Sequence, residues 1–192
     1  MTDPERRQIQ PTPGFRSTEV GSFLAQMDDL SGRLTEDTRG LTPAMLEWQP
    51  RPGMNTIGML LAHNAIGEVF WSLLGLENRK RPLPPFQDIL GIGDEDDGMP
   101  LTTVGLPPPT LAGRSLSFYD DLLERARAHL RRVARELTDA SLDEELMQTR
   151  ASGATMILNR RWTLYHMLEH YAGHYGQILL LIHQYKDAHP AG

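Results

Sequence analysis

Residues 165–179 read YHMLEHYAGHYGQIL and contain three histidines at intervals of four. These are His166, His170 and His174. Apolar residues recur at helical spacing across this stretch, which predicts a helix over about 161–186. Imidazole rings are costly to bury without polar partners. The sequence therefore predicts a core helix whose three imidazole side chains have polar partners.

Two histidines at positions i and i+4 lie on one helix face, with Cβ atoms about 5 to 6 Å apart. Such a pair can bind one metal ion, because zinc–nitrogen bonds are about 2.0 to 2.1 Å long. The stretch offers two pairs, 166/170 and 170/174. A straight helix turns roughly 80° between His166 and His174, so we do not expect all three to reach one ion. Hydrogen bonds to neighbours or water are the alternative role.

A third ligand would have to come from another helix, and His63 is the candidate. It lies in the middle of the apolar segment IGMLLAHNAIGEVFW, residues 57–71. A single histidine on an apolar face is most often a core residue with its own hydrogen bonds. The nearby i, i+4 pair favours the second interpretation, since two ligands on one helix need a partner.

Helical periodicity predicts four long helices, and the rest of the chain links them. The predicted ranges are 17–40, with Ser17 as N-cap, 55–76, 116–137 and 161–186. Residues 77–113 are rich in Pro and Gly and cannot form one regular element, so they predict a long crossover. Residues 138–160 predict a short hairpin around Ser152 and Gly153. This pattern is typical of an all-α four-helix bundle with one crossover connection.

Composition narrows the classes of function. The chain has 192 residues, a formal net charge of -6 and no cysteine. Cysteine ligands and nucleophiles are therefore excluded, and no dense basic run predicts binding to nucleic acid or an anionic membrane. We expect a polar, flexible arm over 1–16, one domain over 17–192, no membrane span and a cytoplasmic location.

Three other polar features predict surface positions. The arginines of residues 125–135 are interleaved with glutamates, which is typical of a solvated helix face. The acidic run Asp94–Asp97 is interpreted as a solvated loop, because its spacing matches no calcium-binding loop. His129, His183 and His189 lie outside any cluster and are expected at the surface.

Two segments together resemble the DinB/YfiT-like superfamily of metal-dependent helical bundles. They are LTPAMLEWQPRPGMNTIGMLLAHNAIGEVFW (41–71) and TLYHMLEHYAGHYGQILLLIHQ (163–184). Both match the order of that family: a Pro-containing loop, a helix with one His and a nearby Trp, then His-x3-His before Gly-Gln. Tyr175 departs from it, since many members carry Arg there.

The resemblance implies an up-down-down-up bundle that binds a divalent ion, such as zinc, nickel, manganese or iron. The implied ligands are His63, His170 and His174. Other residues are expected beside the ligands or in the pocket wall: His166, Trp71, Tyr171 and Gln177. An aromatic residue at such a helical position is more often plain core, and Tyr165 is a further pocket candidate of that kind.

Three imidazoles leave the ion an open position, which is typical of a catalytic site. By resemblance, we expect a thiol S-transferase that joins a thiol such as bacillithiol, mycothiol or glutathione to a small electrophile. No residue is identified as general base. A metal-dependent hydrolase and a non-enzymatic, stress-linked metal- or ligand-binding bundle are the alternatives, and a bundle without metal is a third. Apolar seams on the first and third helices favour a homodimer.

Overall fold

The structure is a computed structural model that describes residues 7–97, 99 and 105–190. Across these residues the protein is mostly helical, with a small two-stranded antiparallel sheet. The helices are α1 (Thr18–Thr38), α2 (Pro43–Glu47), α3 (Ile57–Trp71), α4 (Gln87–Leu90), α5 (Leu116–Ala134), α6 (Asp139–Leu142) and α7 (Arg160–Ala188); the strands are β1 (Glu145–Thr149) and β2 (Thr155–Asn159).

The long helices begin where side chains cap their free backbone N–H groups. Ser17 accepts a hydrogen bond from the backbone N–H of Val20, and Thr56 accepts one from Met59. Asn159 caps α7 in the same way. These caps satisfy donors that have no partner within the helix. The predicted starts of the first and second helices are confirmed, and α7 begins one residue before the predicted position.

Helices α1, α3, α5 and α7 pack around a shared apolar core. Helix α3 contacts both α5 and α7, and α1 contacts the same two helices. A π-helical turn, Ser72–Leu76, continues α3. The combined segment Ile57–Leu76 is long and apolar enough to cross a membrane, with a mean hydropathy of 1.3. However, 83% of its most apolar stretch is buried inside the protein. Length and composition are weak support for a membrane span here, since a core helix has the same character.

The described part of the crossover, 77–97, 99 and 105–113, holds several short elements rather than one, as predicted. These are α4 and two 3₁₀ turns, Asp94–Asp97 and Pro109–Leu111. Phe86, Leu90 and Leu111 are buried and fasten it to the core. The expectation of a solvated acidic loop is wrong for Asp96, which is buried and accepts hydrogen bonds from the Gly93 N–H and the Thr110 hydroxyl.

The predicted hairpin is confirmed. Strand β1 pairs with β2 in the register Glu145 to Asn159, and the turn contains Gly153 at φ 82°. A positive φ suits glycine because it has no Cβ. Gln148 of β1 is buried and donates to the carbonyl of Leu74 at 2.8 Å, which ties the hairpin to the π-helical turn.

The predicted solvated face of α5 is wrong for two residues. Arg127 is buried because Glu68 of α3 and Asp28 of α1 accept its hydrogen bonds. His129 is also buried, with Nδ1 3.1 Å from Nη2 of Arg132. His183 and His189 are exposed, as expected.

The N-terminal arm is described from residue 7 onward. The Thr12 N–H donates to the Gly21 carbonyl at 3.0 Å, and Phe15 packs against the core. These contacts place part of the arm against α1. Its flexibility, and the division of the chain at residue 17, stay predictions.

Candidate metal centre

Two packed helices bring three distant histidines together. His63 lies in α3, while His170 and His174 lie one turn apart in α7. The Nε2 atom of His170 is 2.9 Å from Nε2 of His63 and 3.2 Å from Nε2 of His174. One nitrogen from each ring lies within 4.8 Å of the others. The structure therefore assembles the three residues predicted as ligands.

The outer nitrogens of two rings have oxygen partners. Nδ1 of His63 is 2.5 Å from Oδ1 of Asp97, and Nδ1 of His174 is 2.8 Å from Oε1 of Gln177. A carboxylate or amide oxygen only accepts, so both Nδ1 atoms donate. In the neutral form of these rings, both Nε2 atoms then carry a lone pair, which is the form that binds a metal ion.

These hydrogen bonds create a concentration of lone pairs that suits a cation. The lone pairs on Nε2 of His63 and His174 both face Nε2 of His170. A neutral imidazole carries one N–H, so His170 can donate a hydrogen to at most one of them. Nitrogens bound to one tetrahedral zinc ion lie about 3.3 Å apart, close to the two distances measured here. The donor set and its geometry therefore fit one divalent ion with three nitrogen ligands.

The surroundings keep the central rings neutral. Burial, followed by the neighbouring His174 and His63, lowers the pKa of His170 to about 3. Burial also lowers the pKa of His174, against the opposing effect of its bond to Gln177. A neutral imidazole has no proton to lose before it binds an ion, so the site is poised for metal near pH 7.

The sequence comparison agrees with this geometry. A family profile described as the DinB superfamily matches residues 26–178, a range that begins in α1 and includes all three histidines. The chain belongs to the DinB superfamily. A search of curated proteins finds no match. The resemblance seen in the two sequence segments is thereby confirmed.

In this DinB-superfamily chain, His166 stands apart from the cluster. Its ring stacks on Trp162 at 4.8 Å and meets Trp71 edge-on at 4.7 Å. Its ring centre is 5.9 Å from that of His170. The cluster of three rings whose nitrogens converge does not include His166, which belongs to an aromatic group beside the site.

A cavity of about 320 Å³ borders the histidines. Its wall includes His63, His170, Phe70, Trp71, Phe86 and Asp97. Trp71 thus lies where a pocket residue was expected. The wall combines aromatic side chains with imidazoles and carboxylates, which suits a small apolar molecule with one polar group.

Two other expected pocket residues differ in position. Tyr165 is 59% exposed, whereas Tyr171 is buried, with Arg127 over its ring, and borders a small second cavity with His170. The hydroxyl of Tyr175 donates to Asp37 of α1. Burial and the Asp37 carboxylate together raise the pKa of Tyr175 to about 12. At the position where many relatives carry Arg, this chain therefore has a neutral residue that joins α7 to α1.

Sequence reasoning missed Asp97, which comes from the crossover. Its side chain is 25% exposed and contacts His63 across 34 positions of sequence. The acidic run was visible, but no periodicity connects a loop to a helix. A weak signal was available: a metal-binding histidine commonly donates its other N–H to a carboxylate.

Proposed function

We propose that this protein is a divalent-metal-dependent thiol S-transferase. The observation that carries the proposal is the convergence of His63, His170 and His174 through Nε2 at the edge of an aromatic cavity. Zinc, nickel, manganese and iron are the candidate ions, since imidazole accepts several of them. Membership in the DinB superfamily supports metal binding, and transferase activity is the step that we add.

Each group at the site has a proposed role. The three Nε2 atoms hold the ion, while Asp97 and Gln177 fix the orientation of His63 and His174 through their Nδ1 atoms. A divalent ion in such a site lowers the pKa of a thiol, so that thiolate forms near neutral pH. Neutral ligands favour this effect because they leave the full positive charge on the ion.

The cavity walls bind and orient the second substrate. Phe70, Trp71 and Phe86 offer apolar surface for an electrophile beside His63 and His170. In the reaction the S–H bond breaks, and a new S–C bond forms at the electrophilic carbon. The leaving group departs with its electron pair, and the proton passes to solvent.

The proposal extends to architecture and setting. We propose that α1, α3, α5 and α7 form an up-down-down-up four-helix bundle, supported by the contacts of α3 and α1 with both α5 and α7. A homodimer and a location in the cytoplasm stay proposals from the sequence; the apolar stripes of α1 and α5 are buried in the core of the single chain, so a dimer would need another surface.

A thiol panel tests the activity. Purified protein loaded with one ion is mixed with monochlorobimane and glutathione, bacillithiol or mycothiol, and conjugate formation is followed by fluorescence. We expect turnover with one thiol, loss on chelation and recovery when the ion is returned. Metal binding without turnover by any thiol would contradict the transferase and favour a binding protein. Turnover of a substrate without thiol would instead indicate hydrolysis.

A further inference from the structure

Asn64 follows His63 in α3 and is 1% exposed. Neither Oδ1 nor Nδ2 of its side chain has a hydrogen-bond partner among the residues that the structure describes. Buried amides nearly always have partners, from the protein or from ordered water. An amide with both polar atoms free therefore points to a partner outside the polypeptide.

A small cavity lies beside this amide. Its volume is about 10 Å³, and its wall includes Asn64, Glu68, Gly67, His170 and Tyr171. This volume is at the lower limit for one water molecule, and a buried water needs two to four polar partners. Four polar side chains border this space, so it suits one water and no larger ligand.

His170 lacks the outer contact that the other two histidines have. Its Nε2 atom faces His63 and His174. No described residue hydrogen-bonds to its Nδ1 atom, whereas Asp97 and Gln177 accept from the other rings. A Cβ built on Gly67 would lie 3.1 Å from Cε1 and 3.6 Å from Nδ1 of His170, so this edge of the ring faces a residue of the cavity wall.

We propose that one water molecule occupies this cavity, accepts a hydrogen bond from Nδ1–H of His170 and donates one to Oδ1 of Asn64. Asn64 is thus a positioning residue that keeps His170 in the tautomer with its Nε2 lone pair toward the ion. Glu68 is held in place by Arg127 at 2.7 and 3.1 Å and can accept the second hydrogen of the water.

The Nδ1–H of His170 tests this directly in the zinc-loaded protein. In the wild type, ¹⁵N–¹H correlation of the imidazoles should show this N–H exchanging slowly. A transfer of magnetisation from a slowly exchanging water to this N–H should also appear. Asn64→Leu should lose this transfer and exchange the N–H faster, because the water loses its acceptor. Asn64→Asp, which keeps an oxygen at this position, should restore the wild-type behaviour.

Metal affinity gives a second readout, which rests on the proposed function. Zinc titration should show about 10-fold weaker binding in Asn64→Leu, the size typical for loss of a contact behind a ligand. Gln148→Leu is the matched control, since it removes another buried amide away from the histidines and should leave affinity unchanged.

Three results would overturn the inference: no bound water in the cavity, no transfer of magnetisation from water to Nδ1–H of His170 in the zinc-loaded wild type, or an Asn64→Leu variant that is folded and unchanged in this transfer and in affinity. The wild-type measurements decide even where Asn64→Leu fails to fold. A wild type that binds no zinc contradicts the proposed function, and a search for the slowly exchanging water in the metal-free protein still tests the role of Asn64.

Discussion

Oδ1 of Asp97 lies 2.5 Å from Nδ1 of His63, although the two residues are 34 positions apart in sequence. This contact joins the crossover to α3 at the edge of the cavity. It makes Asp97 the group that fixes the tautomer and the direction of the His63 ring. A segment with little predictable structure therefore contributes to the geometry of the site.

Asp97→Ala should weaken metal binding by about 10- to 100-fold, the range observed when such contacts behind a ligand are removed. Competition with a chelating indicator measures it. Asp94→Ala is the matched control, because Asp94 lines the same cavity without a hydrogen bond to a histidine in the described structure. Equal losses in both variants would show that only the negative charge of the loop matters.

Gly67→Ala should also weaken metal binding, with little loss of helical content. The added Cβ would lie 3.1 Å from Cε1 of His170, so the ring must shift by a few tenths of an ångström away from its partners. Gly32→Ala in α1 meets nothing within 4 Å and should keep full affinity. Zinc titration of both variants measures the affinity. An unchanged affinity in Gly67→Ala would show that the position of the His170 ring is not critical for metal binding.

Arg127→Met should destabilise the fold by about 3 to 5 kcal/mol, because it leaves Glu68 charged and unpaired in the core. Glu68 is 4% exposed. Burial alone lowers the pKa of Arg127, but the Glu68 carboxylate more than reverses this and keeps it charged. Urea unfolding at pH 7 gives the free energy of unfolding.

Two further variants test this interpretation. The side chain of Arg131 is 44% exposed and forms an ion pair with Asp28. Arg131→Ala should therefore lower the free energy of unfolding by at most about 1 kcal/mol. The double variant Glu68→Leu/Arg127→Met removes both charges and should be more stable than Arg127→Met alone. A double variant as unstable as the single one would locate the loss in packing rather than in charge.

His129 predicts a loss of stability in acid. Burial and then Arg132 lower its pKa in the folded state, while Glu77 opposes them. The unfolded chain then binds more protons below about pH 6.5, so unfolding becomes easier as pH falls through that value. Between pH 7.5 and 5, the wild type should lose more free energy of unfolding than His129→Gln. Parallel urea curves at the two pH values measure this, and equal losses would contradict the assignment.

The fold was largely predictable because the helices follow simple local rules. Ser17 caps α1 and Thr56 caps α3, and in both cases the residue type and the apolar spacing after it predict the start. The errors on α5 have a different origin. Arg127 reads as a surface residue in sequence, because the Glu68 carboxylate that allows its burial lies 59 positions earlier.

The site was predictable only in part. The spacing of His170 and His174 follows from helix geometry, and the resemblance to DinB proteins identified His63 as their partner. Asp97 was missed because its contact with His63 depends on the fold of the crossover, and the burial of the Asn64 amide depends on how the helices pack. Neither leaves a periodic pattern in the sequence.

Metal titration decides the claim that His63, His170 and His174 hold one divalent ion. Purified, metal-stripped protein is titrated with zinc and nickel, and elemental analysis after gel filtration gives the stoichiometry. We predict one ion per chain in the wild type and none retained by the variant His63→Ala/His170→Ala/His174→Ala. A wild type that takes up no ion, or a triple variant that binds as tightly, would contradict the claim.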